Sequence, residues 1–281
     1  MSGSTRLLVL GFAVLLGAAG MAVAVVFGVS EWKLRRQYEA PLQALRTSAP
    51  PDLAEGERMA LIVGCWNGCH GRRGEGGSEH IDGILRQTAP TLSEVLPLYT
   101  DEALARLIRY GVKRDGRSAV GMSSYAFWAL GDQDLANIIA HLRKQQKTFT
   151  PRERTLDLSW RARLALTIGT WGVAAERVDR SRPRWGDLPQ TNSFERGRYI
   201  ATVTCTECHG LNFDGNELEH APSLSRIAMY SPEQFREFMR TGKPIGGRDI
   251  PNMRWVVEAP FSDAEIDGMY QFLRVHHRIE R

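Results

Sequence analysis

Apolar residues along the chain form one unbroken run followed by a series of interrupted stripes. Residues 7–29 carry no charge. Roughly 20 residues of helix span a hydrocarbon core, whereas the apolar region of a cleaved signal is about 7–15 residues long. The run therefore predicts a transmembrane anchor over residues 1–30. The competing reading is a cleaved signal, because Ala22-Val23-Ala24 resembles a small-residue cleavage site. Trp32 suits the membrane interface. In the membrane-proximal segment that follows, residues 31–53, the pattern carries the helix on as far as Pro41.

Beyond residue 53 the stripes have helical spacing, and they repeat at a constant offset of 131 residues. Tyr99-Thr100-Asp101-Glu102 matches Tyr230-Ser231-Pro232-Glu233, and Arg109-Tyr110-Gly111 matches Arg240-Thr241-Gly242. Met122 matches Met253, Asp132 matches Asp263, and Leu142 matches Leu273. In the first copy Leu104, Leu107 and Ile108 form one apolar face closed by Gly111; in the second, Phe235, Phe238 and Met239 precede Gly242. The last helix of each copy opens at Gly131-Asp132 or Ser262-Asp263, in the manner of a capped start, and carries Leu135, Ile138, Ile139 and Leu142 or Ile266, Met269, Tyr270 and Leu273. Strand alternation is almost absent. The pattern predicts an all-α protein: an anchor, a first domain at residues 54–147, a linker at 148–193 and a second domain at 194–278. Within the linker, Trp160, Leu164, Ile168 and Trp171 have the spacing of one helix face, suited to packing across both domains or to contact with a membrane or partner; residues 180–189 are proline-rich, charged and irregular.

Composition narrows the function classes. The 281 residues are 43% hydrophobic, enough for a core in each domain, and the net charge is only +4. No long basic run with interleaved aromatics is present, so nucleic-acid binding has little support. The four cysteines fall into two close pairs, Cys65 with Cys69 and Cys205 with Cys208, and each pair is followed at once by a histidine, His70 or His209. Neither a zinc site nor a disulfide requires that adjacency.

Cys205-Thr206-Glu207-Cys208-His209 is a Cys-x-x-Cys-His haem-attachment sequence. The short spacing brings both sulfurs to one porphyrin edge while the histidine reaches the iron from below. The first motif, Cys65-Trp66-Asn67-Gly68-Cys69-His70, is one residue longer. The repeat argues for haem there too, with Asn67-Gly68 absorbing the extra residue in a tight turn of positive φ; the alternative is a single thioether through Cys69. Met122 and Met253, matched by the repeat, are the candidate sixth ligands, and a thioether opposite histidine raises the reduction potential. Met229, Met239 and Met269 are assigned to core packing. His80 and His220, in loops after the motifs, are reserve ligands; His141 lies in a terminal helix where a structural or surface role fits. The glycine-rich residues 71–77 follow a haem motif rather than a strand, which argues against a nucleotide loop.

On these motifs the chain resembles dihaem class I cytochromes c, most closely the cytochrome c subunits of membrane-bound alcohol and gluconate dehydrogenases. The resemblance rests on the stretch Ile108-Arg109-Tyr110-Gly111-Val112-Lys113-Arg114-Asp115-Gly116-Arg117 before the methionine loop, and on Arg196-Gly197-Arg198-Tyr199-Ile200 before the second motif. It departs where Ser123 and Arg254 follow the methionines in place of the family's usual proline, and in having motifs for two haems where those subunits commonly carry three. It implies two covalently bound haems c held by Cys65, Cys69, Cys205 and Cys208, with His70, Met122, His209 and Met253 as axial ligands. The expected function is electron transfer at the periplasmic side of a bacterial inner membrane, beside redox partners such as a dehydrogenase, a quinol-oxidising complex, a terminal oxidase, a reaction centre or a soluble cytochrome. The alternative is a dihaem enzyme such as a peroxidase or thiosulfate dehydrogenase, which needs an open or labile sixth position; a zinc-binding structural protein is the remaining class. Lys33, Arg35 and Arg36 after the span outnumber Arg6 before it, which by the positive-inside rule favours the opposite orientation. Haem attachment outside the cytoplasm outweighs that statistical rule.

Overall fold

The charge-free run forms one helix, α1 (Gly3–Arg35), in a computed structural model that describes residues 3–65, 68–81, 83–144, 148–217, 220–247 and 253–279. None of its most apolar window is covered by the rest of the chain. The helix ends at Arg35 and does not run on to Pro41. The reason is a competing partner for the backbone: Gln37 bridges to Arg117, and the Tyr38 N–H donates to Gly116 O at 2.8 Å.

Helix α2 (Leu53–Ile62) starts at Asp52, whose carboxylate accepts from the Ala54 and Glu55 N–H groups. Next come a hairpin of β1 (Gly77–Ile81) and β2 (Leu85–Ala89), the short α3 (Leu92–Val95), α4 (Asp101–Tyr110), the single turn α5 (Ser124–Phe127) and α6 (Asp132–Lys144). The linker supplies β3 (Leu156–Leu158), α7 (Trp160–Ile168) and α8 (Ala174–Arg177). The second half contains α9 (Ser193–His209), α10 (Pro232–Thr241), the single turn α11 (Arg254–Val257) and α12 (Asp263–Ile279).

The repeat seen in the sequence is repeated in the bonding. Thr100 caps α4 by accepting from the Ala103 N–H, and Ser231 caps α10 by accepting from the Gln234 N–H, both at 3.2 Å. Gly111 and Gly242 end the two helices with φ of 66° and 70°, a left-handed turn that only glycine adopts without penalty. Tyr99 Oη accepts from the Arg114 N–H and Tyr230 Oη from the Ile245 N–H, each at 3.3 Å. In each half the first helix crosses the last where a glycine lets the backbones touch. A Cβ on Gly56 would lie 2.1 Å from Asn137 O, and one on Gly197 would lie 2.0 Å from Gly268 C.

Three features depart from the sequence reading. The protein is mostly helical but not all-α: β1, β2 and β3 form an antiparallel sheet in that order, with Gly77 opposite Ala89 and Leu85 opposite Leu158. The strands are three to five residues long and β1 and β2 are mostly polar, so no alternation long enough to read announced them. In the second half the isolated bridge Asn216–Ala221 stands at that place among the described residues. Helix α7, capped by Ser159 and ended by Gly169, lies along α1 rather than across the two halves, and Trp171 falls beyond its end. Met239 and Met269 are buried as expected, but Met229 is exposed because it closes a 3-10 turn at the surface. The irregular character of residues 180–189 holds, apart from a 3-10 turn at Trp185–Asp187. Met59, Ile62, Leu135 and Ile138 of the first half join Ile200, Val203, Ile266 and Met269 of the second in one hydrophobic cluster.

Candidate haem-attachment sites

The second motif occupies the last turns of α9, which runs unbroken through His209 and stops at Gly210. The chain then folds back in a short loop, with the Phe213 N–H donating to Gly210 O at 3.0 Å and the Gly215 N–H to His209 O at 2.9 Å. This turn returns Pro222, whose carbonyl lies 2.7 Å from His209 Nδ1. A carbonyl only accepts, so Nδ1 carries the proton and Nε2 keeps its lone pair. Burial holds the His209 pKa down against the opposing effect of the Pro222 carbonyl, which keeps the ring neutral. A metal-binding histidine typically donates its remote N–H to such an acceptor, fixing tautomer and ring orientation.

The first motif reaches the same arrangement by a different path. Helix α2 stops at Ile62, and Gly64 takes φ of 70°, so Cys65 lies in a turn rather than in a helix. Among the described residues from α2 to His70 the left-handed one is Gly64, before the motif. Gly68 does not adopt positive φ, and Asn67 lies outside the described residues. After His70 the two sites coincide. The Gly74 N–H donates to Gly71 O and the Gly76 N–H to His70 O; the positive φ values of Gly71, Gly74 and Gly76 reappear at Gly210, Phe213 and Gly215. Pro90 O then lies 3.0 Å from His70 Nδ1, and burial again lowers the histidine pKa despite that bond.

All four cysteines are half-buried, and neither pair is joined by a disulfide. Burial pushes Cys205 up to about 12; burial and then the Glu207 carboxylate push Cys65 up to about 12. A thiol held protonated is a poor attacking group for dithiol redox chemistry. Among the described residues no three His, Cys, Asp or Glu side chains converge on a metal-ion position. Paired thiols beside a neutral, oriented imidazole fit covalent haem better than either rival.

Met122 and Met253 sit in matching places, two residues before the single turn α5 and one before α11. Both are half-buried and pack on the hydrophobic cluster that Cys65 and Cys205 also touch. Of the reserve ligands, His220 is exposed with φ of 51°, and His80 lies in β1 with its side chain outside the described ones. His141 is buried in α6 behind Gly56, a structural position.

The two motifs adjoin. Thr204, next to Cys205, donates through Oγ1 to Ile62 O at 3.3 Å, and Tyr125, three residues after Met122, donates its hydroxyl to Glu207 O at 2.5 Å inside the second motif. Pro90, Pro222 and Tyr125 were not singled out in the sequence. The prolines had a readable signal in the parallel stretches Pro90-Thr91-Leu92-Ser93 and Pro222-Ser223-Leu224-Ser225; Tyr125 had none, because its partner is 82 residues away.

Residues 192–273 match the family described as cytochrome c oxidase, cbb3-type, subunit III. The matched segment begins at the Asn192 cap of α9 and extends into α12. It supports a class I cytochrome c domain there, and with it covalently bound haem c and electron transfer. No curated protein matches the chain.

Proposed function

We propose that the chain is a membrane-anchored dihaem cytochrome c, an electron-transfer subunit of, or exchange partner for, a respiratory or photosynthetic membrane complex, with its haem-bearing body on the periplasmic side. The observation that carries the reading is the twin His–Pro contact. His70 and His209 each give their Nδ1 proton to a proline carbonyl, and so present Nε2 beside a cysteine pair. Cys65, Cys69, Cys205 and Cys208 would hold the two groups covalently, and His70, Met122, His209 and Met253 would ligate them. Haem c supplies one-electron chemistry when bound. The protein residues orient the imidazoles, keep them neutral and bring the two attachment segments together through Thr204 and Tyr125. Residues 54–147 and 194–278 are the two cytochrome domains on this reading.

Helix α1 tethers the body and raises the effective concentration of its sites near membrane partners. Lys33 and Arg36 after the span pair with Glu176 of the body, which ties these two cations to the body, while Arg35 pairs with Glu31 of α1 itself. Candidate partners are a terminal oxidase, suggested by the family described for residues 192–273, or a dehydrogenase, suggested by the resemblance over most of residues 54–278.

Haem content per chain tests the reading. A pyridine haemochrome assay against protein concentration is expected to give two, falling to one in His209→Ala or Cys208→Ser. A wild-type value of one, located on the second motif by peptide mass spectrometry, would exclude the first site. The same spectra show whether Cys65 carries a thioether. A reporter fused after Arg281 that is active only in the cytoplasm would overturn the orientation.

A further inference from the structure

Helix α7 packs beside the membrane end of α1 in a fixed antiparallel register. Arg163 donates to Ser30 Oγ at 3.0 Å, and Thr167 donates to Val26 O at 3.2 Å, so four residues forward on α7 match four residues back on α1. Arg163 also pairs with Glu31 at 2.8 Å and lies over the Phe27 ring at 4.8 Å. The same register sets Trp160 level with Lys33, Leu164 with Val29 and Ile168 with Val25. The charge-free run of α1 ends at Val29. With a rise of about 1.5 Å per residue, Ile168 lies roughly 6 Å below that end.

The face of α7 that turns away from the body is apolar apart from Arg161, which stands at its Trp160 end, the end away from the charge-free run of α1. Ala162 and Leu166 are buried against the protein, and the opposite side presents Trp160, Leu164 and Ile168, with Trp160 66% and Ile168 63% exposed. Such a stripe facing water is unfavourable, and its place beside an unburied apolar helix supplies the alternative. The chain reverses at Gly169, whose φ of 82° ends the helix, and the N–H groups of Gly169 and Trp171 both return to Ala165 O. The tip therefore carries part of its own backbone bonding.

We propose that α7 is a membrane-seated element: its Ile168 end enters the boundary between headgroups and acyl chains, Leu164 lies at that boundary, and Trp160 sits in the headgroup layer. Interfacial helices bury an apolar face about 5–10 Å into this zone, and tryptophan favours the headgroup level. The occupant of the face is the lipid of the same bilayer that α1 crosses, and the continuity of the two helices argues for it. The linker then fixes the height and tilt of the haem-bearing body above the membrane, so the body does not swing freely on one tether. The proposal rests on the reading of α1 as a membrane anchor.

The test uses the full-length holoprotein in phosphatidylcholine–phosphatidylglycerol nanodiscs, with an environment-sensitive fluorophore on Ile168→Cys, Leu15→Cys or Leu98→Cys. Leu15 lies mid-run in α1, and Leu98 is an exposed residue of the body. The expected result is quenching by spin-labelled lipid and loss of iodide quenching at positions 15 and 168, with the reverse at 98. Iodide quenching at 168 equal to that at 98, with 15 still lipid-quenched, overturns the proposal and leaves the anchor intact. Iodide access at 15 overturns the anchor reading, and the proposal falls with it. Should Ile168→Cys fail to fold, Trp160→Cys takes its place, with quenching by a headgroup-linked spin label as the expected result and iodide quenching equal to that at 98 as the refuting one.

Discussion

Arg109 and Arg240 stand at equivalent places in the repeat, and each pairs with the first residue of the last helix of its half, Asp132 of α6 or Asp263 of α12. Their surroundings differ. The Arg109 and Asp132 side chains are 4% and 12% exposed, against 41% and 71% for Arg240 and Asp263. Arg109 also donates to Leu130 O at 2.6 Å, and that carbonyl would be stranded by its loss. Replacing each arginine with methionine keeps the length and removes the charge. Breaking a buried pair from one side costs about 3–5 kcal/mol, while an exposed pair is worth about 0–1 kcal/mol. Asp132 retains the Arg46 N–H at 2.9 Å and Arg184 at 3.6 Å, which places Arg109→Met near the lower end, about 3 kcal/mol. For a chain of this size that corresponds to a fall of roughly 6–12 °C in Tm, against about 4 °C or less for Arg240→Met. Thermal unfolding of the holoprotein, followed by far-UV ellipticity, reads both. Burial raises the Asp132 pKa, but the Arg46 N–H and Arg109 outweigh it, so the net shift is downward. The stabilisation from Asp132 is therefore present above an unfolded pKa of about 3.9 and is lost as pH falls through the lower folded value. Equal losses in the two variants would refute the reasoning that burial, rather than the pair itself, sets the magnitude.

Other perturbations test the remaining contacts. Gly197→Ala forces a Cβ into the α12 backbone, which cannot yield as a side chain would; the overpacking is expected to cost about 3 kcal/mol, and a variant as heat-stable as the parent would contradict the close crossing. Glu265 bridges the halves by accepting from Arg58 at 2.9 Å and Arg196 at 2.9 Å, and Glu265→Gln is expected to lose about 2 kcal/mol in urea unfolding. Burial raises its pKa, but Arg58, the Ser262 N–H and Arg196 together pull it below the usual value. Its contribution is therefore full above about pH 4.3 and lost as pH falls through the lower folded pKa, and the parent–variant gap should close on acidification. Met122→Ala and Met253→Ala should each remove part of the weak near-infrared sulfur-to-iron band; a band unchanged in both would eliminate methionine ligation.

What the sequence determined by itself was local or periodic. The apolar run fixed α1, the stripes closed by Gly111 and Gly242 fixed α4 and α10, and the offset of 131 residues tied Met122 to Met253 before any geometry was known. Each depends on neighbours within a turn or two of helix, where spacing and backbone preference suffice. The tertiary structure decided whatever depends on a distant partner. Pro90 and Pro222 acquire a role only when the loops fold back on His70 and His209, and β2 gains its third strand from residues more than 60 positions on. Equivalent ion pairs are buried in one half and exposed in the other because residues of the linker, Arg184 and Asp187, cover the start of α6. The linker helix was legible as a helix with one apolar face, from Trp160 to Ile168. That this helix lies along α1 followed only from the bonds of Arg163 and Thr167, made more than 130 residues along the chain.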